Sequence, residues 1–270
     1  MIDWDDAFDN SSYVEGSDRL ADRWSAAAAD YRAGSQAHGF ADIDLRYGTQ
    51  SRNQLDLFGP EGHSNGLIIF IHGGYWHLLD KSCWSHLARA AVEAGWCVAI
   101  PSYSLAPAAR ISQITREIAR VIEFAANRIN GPLRLIGHSA GGHLVTRMVC
   151  DDSGLPADVL ARLDRVIAVS GIYDLRPLTL TGMNETLQLT DDESRDESPA
   201  LHRPLPGIQV TCWVGAAERP EFLRQARLLT ETWKPHNHQV RDFYEPGENH
   251  FSVIENMALP ASALFKELTS

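Results

Sequence analysis

A serine in a tight glycine turn is the first candidate for chemistry in this sequence. Residues 137–142 read GHSAGG and follow the short apolar run 132–136. A GxSxG turn between a strand and a helix holds its serine out over the edge of a sheet, because only small residues fit on either side of it. The pattern therefore makes Ser139 the candidate nucleophile of an acyl-transfer reaction.

The surroundings of this motif decide its meaning, because a chain with 20 glycines can contain a GxSxG by chance. The segment after Ser139 has a helical pattern whose apolar residues share one face: Leu144, Val145, Met148 and Val149. A strand, a tight turn and a helix therefore follow one another, as a nucleophile elbow requires. The competing interpretation is a glycine-rich turn with an idle serine. A reactive serine also needs a base, a group that orients the base, and donors for the oxyanion.

The candidate base is His250, in the run Glu248-Asn249-His250-Phe251. It follows the predicted last strand, 239–244, and precedes a predicted C-terminal helix. Of the eleven histidines, it alone lies on the loop where this chain order places the base.

Four other histidines are interpreted as residues without a catalytic role. His138 is the variable residue of the elbow and is expected to point away from the serine, and His143, one helical turn on, is expected to be a packing residue. His236 and His238 are spaced like a metal-binding pair, but no third ligand is near in sequence, which favours a loop.

Two acidic residues compete to orient the base. Glu218 follows the predicted strand that precedes the last one, which is the usual loop for the acid, and glutamate is an accepted variant of aspartate in this role. Asp174 follows the preceding strand, which ends at Ser170-Gly171, and could instead cap a turn. Glu221 is a weaker third candidate, on the next helix. We favour Glu218 and keep Asp174 open.

The candidate oxyanion donors lie in His72-Gly73-Gly74-Tyr75-Trp76, directly after a buried strand. Backbone N–H groups of Gly73 and Gly74, joined by that of Ala140, could face the oxygen of a reacting carbonyl. A plain glycine turn is the alternative. Tyr75 and Trp76 could offer a flat aromatic wall beside it.

Around these residues the sequence predicts alternating strands and helices. Continuous apolar runs, typical of strands buried on both faces, occur at 67–71, 97–100, 133–136, 166–169 and 210–214. Helices are predicted between them at 84–94, 112–130 and 139–150. An antiparallel hairpin at a sheet edge is predicted from alternating polarity at 42–47 and 53–58. We therefore predict an α/β fold with a mostly parallel central sheet and helices on both faces.

Two segments fall outside this alternation and are predicted to form a small cap on a single domain of residues 1–270. Within the N-terminal helical segment 1–40, residues 1–16 are predicted to be irregular, and a helix is predicted from Ser17 to Gly34. This helix either packs on the sheet or roofs the active site. Residues 175–206 are rich in proline and lack a strand pattern, and their acidic run 191–197 is interpreted as a solvated face.

The composition limits the partners. Thirty-five acidic residues against 24 basic ones give a formal charge of -11, which argues against nucleic acid or an anionic membrane and leaves a small-molecule acyl substrate. No run approaches membrane-spanning length, and the first residues lack the basic and apolar regions of a secretory signal. The four cysteines are scattered, which favours reduced thiols in a cytoplasmic protein. No cofactor or metal is predicted, and the oligomeric state stays open.

Several motifs in order resemble the kynurenine formamidase (arylformamidase) branch of the α/β-hydrolases, which neighbours the hormone-sensitive-lipase-like esterases. They are HGGYW at 72–76, SYSLAP at 102–107, GHSAGG at 137–142, SGIYDLRPL at 170–178 and VGAAERPEF at 214–222. The resemblance runs from about Asp42 to the C-terminus and implies an α/β-hydrolase fold with Ser139 as nucleophile and His250 as base. The acid of that family, usually aspartate, falls on Glu218. Tyr103, in SYSLAP, joins Tyr75 and Trp76 as a candidate substrate-binding residue.

The predicted reaction is acyl transfer to water through an acyl-serine. An arylformamide such as N-formyl-kynurenine is the substrate that the resemblance implies. A short-chain carboxylesterase acting on acetyl or other small acyl esters is the alternative with the same site. A non-catalytic binding protein on a hydrolase scaffold is a third reading, which the complete Ser139, Glu218 and His250 set disfavours.

Overall fold

The computed structural model describes residues 2–270, and an eight-stranded sheet runs through the middle of this part of the chain. The strands are β1 Ala41–Arg46, β2 Gln54–Phe58, β3 Leu67–Ile71, β4 Cys97–Pro101, β5 Leu133–His138, β6 Leu163–Val169, β7 Gln209–Gly215 and β8 Val240–Glu245. Their order is β1-β2-β4-β3-β5-β6-β7-β8. Strand β2 is antiparallel to both of its neighbours, and every other pair is parallel. The predicted edge hairpin and mostly parallel sheet are confirmed.

The apolar runs form the centre of the sheet because both of its faces are covered. Every residue of β3 and of β4 is buried, whereas the edge strand β1 alternates between partly buried and exposed positions. Such runs suit strands that lie between two helical layers. Since the carboxyl ends of β3, β5, β6, β7 and β8 lie on one side, the loops after them meet along one edge.

Helices pack on both faces, as predicted. They are α1 Trp4–Phe8, α2 Leu20–Ala37, α3 Arg89–Glu93, α4 Ile111–Ala126, α5 Ala140–Arg147, α6 Ala157–Leu160, α7 Asn184–Leu187, α8 Asp191–Asp196, α9 Pro220–Trp233, α10 Ser252–Glu255 and α11 Ala263–Thr269. One core cluster holds apolar residues of α4, α5 and α9, and a second holds those of α2, α3, α10 and α11. The predicted helix 84–94 is split, because a short 3-10 turn, Ser85–Ala88, precedes α3.

The N-terminal segment is more ordered than the sequence suggested. Met1 lies outside the described residues, but α1 follows within the stretch predicted to be irregular. The Asp3 carboxylate accepts a hydrogen bond from Asp6 N (3.2 Å), and Phe8 is buried against the ring of Phe222. A polar sequence therefore forms a helix here because one cap and one apolar contact are sufficient to hold a single turn. The next helix, α2, continues past Gly34 to Ala37.

The excursion 175–206 has no strand among its residues, as predicted, but its acidic run is not simply a solvated face. Glu193 accepts hydrogen bonds from Arg110 and from Ser112 N. Glu197 is buried, accepts a hydrogen bond from Thr115 Oγ1 (2.6 Å) and lies 3.4 Å from Arg147 Nε. These carboxylates therefore fasten the excursion to α4 and α5.

Two further features bear on the composition. The four cysteines are buried and unpaired within residues 2–270. In the same residues, none of the helices combines the length and apolar character that crossing a bilayer requires.

Candidate active site

Ser139 lies on a strained turn between β5 and α5. Its backbone has φ 55° and ψ −118°, a conformation that costs a non-glycine residue about 1–3 kcal/mol. A Cβ on Gly137 would lie 2.1 Å from Gly141 O, and one on Gly141 would lie 2.0 Å from Ile71 O. Both positions therefore require glycine. The serine N–H donates to Val169 O (2.8 Å), which ties the turn to the neighbouring strand.

His250 and Glu218 meet on the loops that follow β8 and β7. Both residues are buried, and His250 Nδ1 donates to Glu218 Oε2 over 2.7 Å. The other carboxylate oxygen, Oε1, accepts from Gly215 N (2.8 Å) and from Ser170 Oγ (2.5 Å). Because the carboxylate only accepts, the proton sits on Nδ1 and leaves the lone pair on Nε2.

Glutamate is one methylene longer than the usual aspartate, and the Glu218 side chain accommodates this length by bending back toward the end of β7. Glu218 N donates to Gly215 O (3.1 Å), while the Glu218 side chain returns to the amide of the same Gly215. The longer side chain is therefore bent onto the end of its own strand. This conformation leaves Oε2 within hydrogen-bonding distance of the His250 imidazole.

The two other acidic candidates are bound elsewhere. The carboxylate of Asp174 accepts from the Arg176 guanidinium at 2.8 and 2.9 Å. Burial acts to raise the pKa of Asp174, but these hydrogen bonds outweigh it and keep that pKa below its usual value. Glu221 accepts from Arg224 and from Gln225 on α9. Of the three, only Glu218 reaches His250.

The predicted oxyanion donors Gly73 and Gly74 lie in the turn after β3, and Ala140 directly follows Ser139. A Cβ on Gly73 would lie 2.9 Å from Ser139 Cβ, so the glycine turn is in direct contact with the elbow. Gly74 adopts φ +104°, a value that side chains disfavour. Within residues 2–270, the amides of Gly73, Gly74 and Ala140 donate to no other backbone group. Ala140 also opens a helix, where unpaired N–H groups carry partial positive charge.

Tyr103 packs against the turn 72–74, which holds the predicted oxyanion donors, and does not line the cavity. Its ring is fully buried and stacks on His72 at 4.3 Å, and its hydroxyl donates to His72 O (2.8 Å). His72 Nδ1 in turn donates to Gly73 O (2.7 Å). Burial lowers the pKa of His72 to about 4, so this imidazole is neutral at pH 7.

Trp76 is likewise buried in the core, away from the position predicted for it. Its indole N–H donates to His143 Nδ1 (3.3 Å), and His143 Nε2 donates to Glu197 O (2.7 Å). Burial lowers the pKa of His143 to about 3. His143 is therefore a neutral packing residue with both nitrogens paired, as the sequence suggested. Tyr75 alone of the three predicted substrate-binding residues lines the cavity.

A cavity of about 440 Å³ opens over Ser139 and His250. Part of its lining is an aromatic wall, which we define as Trp24 from α2, Trp84 and Phe251. The Trp24 ring lies 4.7 Å from that of Trp84 and 6.2 Å from that of Phe251. The Trp24 indole N–H donates to Glu255 Oε1 (2.8 Å), which fixes the orientation of the ring. No hydrogen bond joins Ser139 Oγ to His250 in the described residues, and catalytic contacts are often loose before substrate binds.

The N-terminal cover, which we define as residues 2–24, supplies Trp24 and much of the remaining lining of this cavity. Tyr75 hydroxyl donates to Phe8 O and accepts from Asn10 Nδ2. Asp5 Oδ1 accepts from Gly182 N (2.8 Å), and Asp6 pairs with Arg219. The excursion contributes Met183 to the lining. Sequence reasoning proposed this roof as one of two roles for the N-terminal helix but did not identify Trp24 as its aromatic face.

His138 packs against the ring of the base. Its ring centroid is 4.9 Å from that of His250, and its Nε2 donates to His250 O (2.8 Å). No sequence pattern indicated this contact, because the two residues are distant in the chain.

One surface group resembles a metal site. Ligand atoms of Asp151, Asp152 and His202 lie within 4.8 Å of one another. Both carboxylate oxygens of Asp152 accept from Arg147 at 2.8 Å, which already satisfies its charge. His236 and His238 lie in the turn after α9.

Known proteins resemble this chain in sequence and in fold. The model of the alpha/beta hydrolase family matches residues 68–261. The kynurenine formamidase of Danio rerio is 33% identical over 227 residues, which cover 80% of this chain and 76% of that protein. That of Drosophila melanogaster is 27% identical over 245 residues, with 84% and 80% covered.

Solved structures extend the likeness to the whole chain. A proposed thioesterase from Silicibacter sp. TM1040 is 44% identical, with a TM-score of 0.93 and 100% of both chains covered. Esterase B from Lactobacillus rhamnosis is 18% identical, with a TM-score of 0.66 over 92% of this chain and 93% of that one, and shares the fold. The resemblance inferred from the motifs is confirmed: this chain is a hydrolase of the alpha/beta hydrolase family, on the branch that contains the kynurenine formamidases.

Proposed function

We propose that this protein is a serine hydrolase that removes a formyl group from an arylamine. The observation that carries the proposal is the placement of Ser139 and His250 at the floor of a cavity walled by Trp24, Trp84 and Phe251. An aromatic amine has a flat apolar face that such a wall can bind. The kynurenine formamidases are relatives that align with most of the chain, and their name indicates the same substrate class.

In the proposed reaction, Ser139 Oγ attacks the formyl carbon and its proton passes to His250 Nε2. The carbonyl oxygen becomes an oxyanion and accepts hydrogen bonds from the amides of Gly73, Gly74 and Ala140. As the C–N bond breaks, His250 returns the proton to the departing arylamine nitrogen. This step leaves a formyl-serine and a neutral amine.

Water completes the cycle by attacking the formyl-serine. His250 accepts a proton from the water and returns it to Ser139, and formate leaves. Throughout, Glu218 holds Nδ1–H of His250 at 2.7 Å and offsets the charge of the imidazolium. The hydrogen bonds from Gly215 N and Ser170 Oγ hold this buried carboxylate in place.

Hydrolysis of a short acyl ester is the second candidate. The whole-chain relative at 44% identity is described as a proposed thioesterase, and esterases share the fold. The same nucleophile, base and oxyanion donors would serve an ester, because only the leaving group differs. The aromatic wall of Trp24, Trp84 and Phe251, which would contact the leaving group, is therefore the part of the site that distinguishes the two candidate functions.

The test is formate release from N-formyl-kynurenine by the purified protein, with Ser139→Ala as the blank. Acetyl esters and acetyl thioesters of small alcohols and thiols are assayed in parallel. We expect serine-dependent formate release with a specificity constant above that for the esters. Ester cleavage without formate release would keep the serine mechanism and overturn the arylformamide substrate.

A labelling experiment tests the alternative that the protein binds ligands without catalysing a reaction. A fluorophosphonate probe should label wild-type protein stoichiometrically and leave Ser139→Ala unlabelled. Absence of both labelling and turnover in folded protein would overturn the serine mechanism.

A further inference from the structure

His138 connects the elbow to the loop of the base. It directly precedes Ser139, is buried, and donates from Nε2 to the backbone carbonyl of His250 over 2.8 Å. The contact joins the ends of two parallel strands, β5 and β8, that are not neighbours in the sheet. A single side chain therefore spans the distance between the candidate nucleophile and the backbone of its base.

The His138 imidazole acts here as a donor. A carbonyl oxygen can only accept, so the Nε2 atom of His138 carries the proton. Burial lowers the pKa of His138 to about 3, which keeps the ring neutral at pH 7. Its Nδ1 is buried and has no hydrogen-bond partner in residues 2–270. A neutral ring is needed at this place, since a second charge would repel the imidazolium that forms on His250.

The same residue also touches the oxyanion turn. A Cβ on Gly73 would lie 2.8 Å from His138 O and 3.3 Å from His138 Nδ1. Trp84 lies on another side, with its ring 6.2 Å from that of His138. His138 therefore packs between the turn that holds the oxyanion donors and the loop that holds the base.

Two hydrogen bonds act directly on His250. Glu218 fixes the imidazole through Nδ1, and His138 fixes the backbone through the carbonyl. The ring also packs against Phe222, with centroids 4.5 Å apart, and the loop after β8 is held by a hydrogen bond from Ala217 N to Glu248 O (2.9 Å). The contact from His138 is the one that links this loop directly to the residue next to Ser139.

We propose that His138 is a positioning residue, which holds the backbone of His250 so that Nε2 of the base is aligned with Ser139. The inference rests on the proposed serine mechanism. It assigns no proton transfer to His138. A misplacement of about 1 Å in a reacting group can cost about 100-fold in rate, which is the scale on which such a contact acts.

The test compares His138→Phe, which keeps an aromatic ring without the donor, with His138→Gln, whose amide N–H reaches the position of Nε2. We expect kcat for His138→Phe to fall about 10- to 100-fold, with KM within about 2-fold of wild type. The fluorophosphonate labelling rate of Ser139 should fall in parallel, because it depends on the same base. In His138→Gln, both rates should recover to within about 5-fold of wild type. If His138→Phe does not fold, His138→Asn replaces it, since its shorter amide cannot reach the carbonyl.

A matched control is His143→Phe. This residue is also a buried neutral histidine near the elbow, but its partners are Glu197 O and Trp76. We expect it to lower the melting temperature as much as His138→Phe while reducing kcat far less. Equal losses of kcat in the two variants, wild-type kcat in His138→Phe, or no recovery in His138→Gln would each overturn the inference. Loss of the proposed function itself would be seen separately, as unlabelled Ser139 in the wild-type protein.

Discussion

The elbow and the N-terminal cover face each other across one cavity, and they are held in place by different forces. In the elbow, backbone atoms approach so closely that a Cβ on Gly137 or Gly141 would fall within 2.1 Å of a carbonyl oxygen. The polar contacts of the cover are an ion pair between Asp6 and Arg219, a hydrogen bond that Gly182 N donates to Asp5, and one that the Tyr75 hydroxyl donates to Phe8 O. The first region is fixed by steric fit, and the second by polar contacts together with the buried rings of Phe8 and Trp24.

This difference indicates that the elbow positions the reacting groups and that the cover selects the leaving group. The strand ends of a packed sheet hold reacting groups to a fraction of an ångström, and such positions tolerate little change. A surface segment with few contacts can vary without unfolding the core, which suits the choice of leaving group. We therefore expect substitutions in the elbow region to affect rate or folding for all substrates, and those in the cover to affect substrate preference.

The largest effect is expected for Glu218→Gln, on the fixed side of the cavity. The carboxylate accepts from His250, Gly215 and Ser170, and an amide cannot accept from all three because its nitrogen donates. The imidazole then loses its favoured tautomer, so kcat should fall by up to about 10⁴-fold. Steady-state kinetics on N-formyl-kynurenine and an acetyl ester check this. Asp174→Asn, which removes charge only beside Arg176, should stay near wild type; the reverse pattern would make Asp174 the acid.

A pair of glycine substitutions tests the contrast in packing. Gly141→Ala places a methyl group 2.0 Å from Ile71 O and should lower the free energy of unfolding by about 3 kcal/mol or more. Gly34→Ala, in helix α2, meets no atom within 4 Å and should raise it by about 0.5–1 kcal/mol, because alanine loses less entropy in a helix. Urea unfolding of both variants measures these values. Equal stability of the two would show that the elbow can relax, against the steric account.

The parts of the molecule that the sequence predicted are those set by local pattern. Continuous apolar runs predicted the buried strands. The glycine spacing within the six residues 137–142 predicted the elbow. The choice between Glu218 and Asp174 stayed open because both follow strand ends. The structure separates them through Arg176, which binds Asp174 from two residues away. That pairing is local, but an Asp-x-Arg sequence occurs in many turns and carries no signal of its own.

The substrate-facing residues could not be predicted in the same way. Tyr75 and Trp76 are adjacent in sequence, which suggested one wall, but both have positive φ, 47° and 58°, and the turn sends one ring to the cavity and the other to the core. The true wall joins Trp24 to Trp84 and Phe251, residues far apart in the chain. Such a surface depends on how two helices and a loop pack, which periodicity does not encode.

The smallest effect is expected from Trp24→Leu, on the cover. The substitution removes an aromatic face from the wall but leaves an apolar side chain, so an arylamine leaving group loses stacking while a small alcohol loses little. We expect kcat/KM for N-formyl-kynurenine to fall about 10-fold, and that for an acetyl ester of a small alcohol to change less than about 2-fold. The ratio of the two specificity constants is the measurement, since it cancels any change in the fraction of active protein.

A matched control for this variant is Tyr31→Leu, which removes another aromatic ring from the same helix. Tyr31 packs against Phe58 at 5.3 Å and does not line the cavity. Its substitution should therefore leave the ratio unchanged even if it lowers stability. Should Trp24→Leu reduce both specificity constants equally, the cover would act on the reacting groups themselves, and the separation between a fixed elbow and a selective cover would fail. A shift of the ratio in Trp24→Leu alone would place leaving-group choice on a helix that contributes none of the reacting groups.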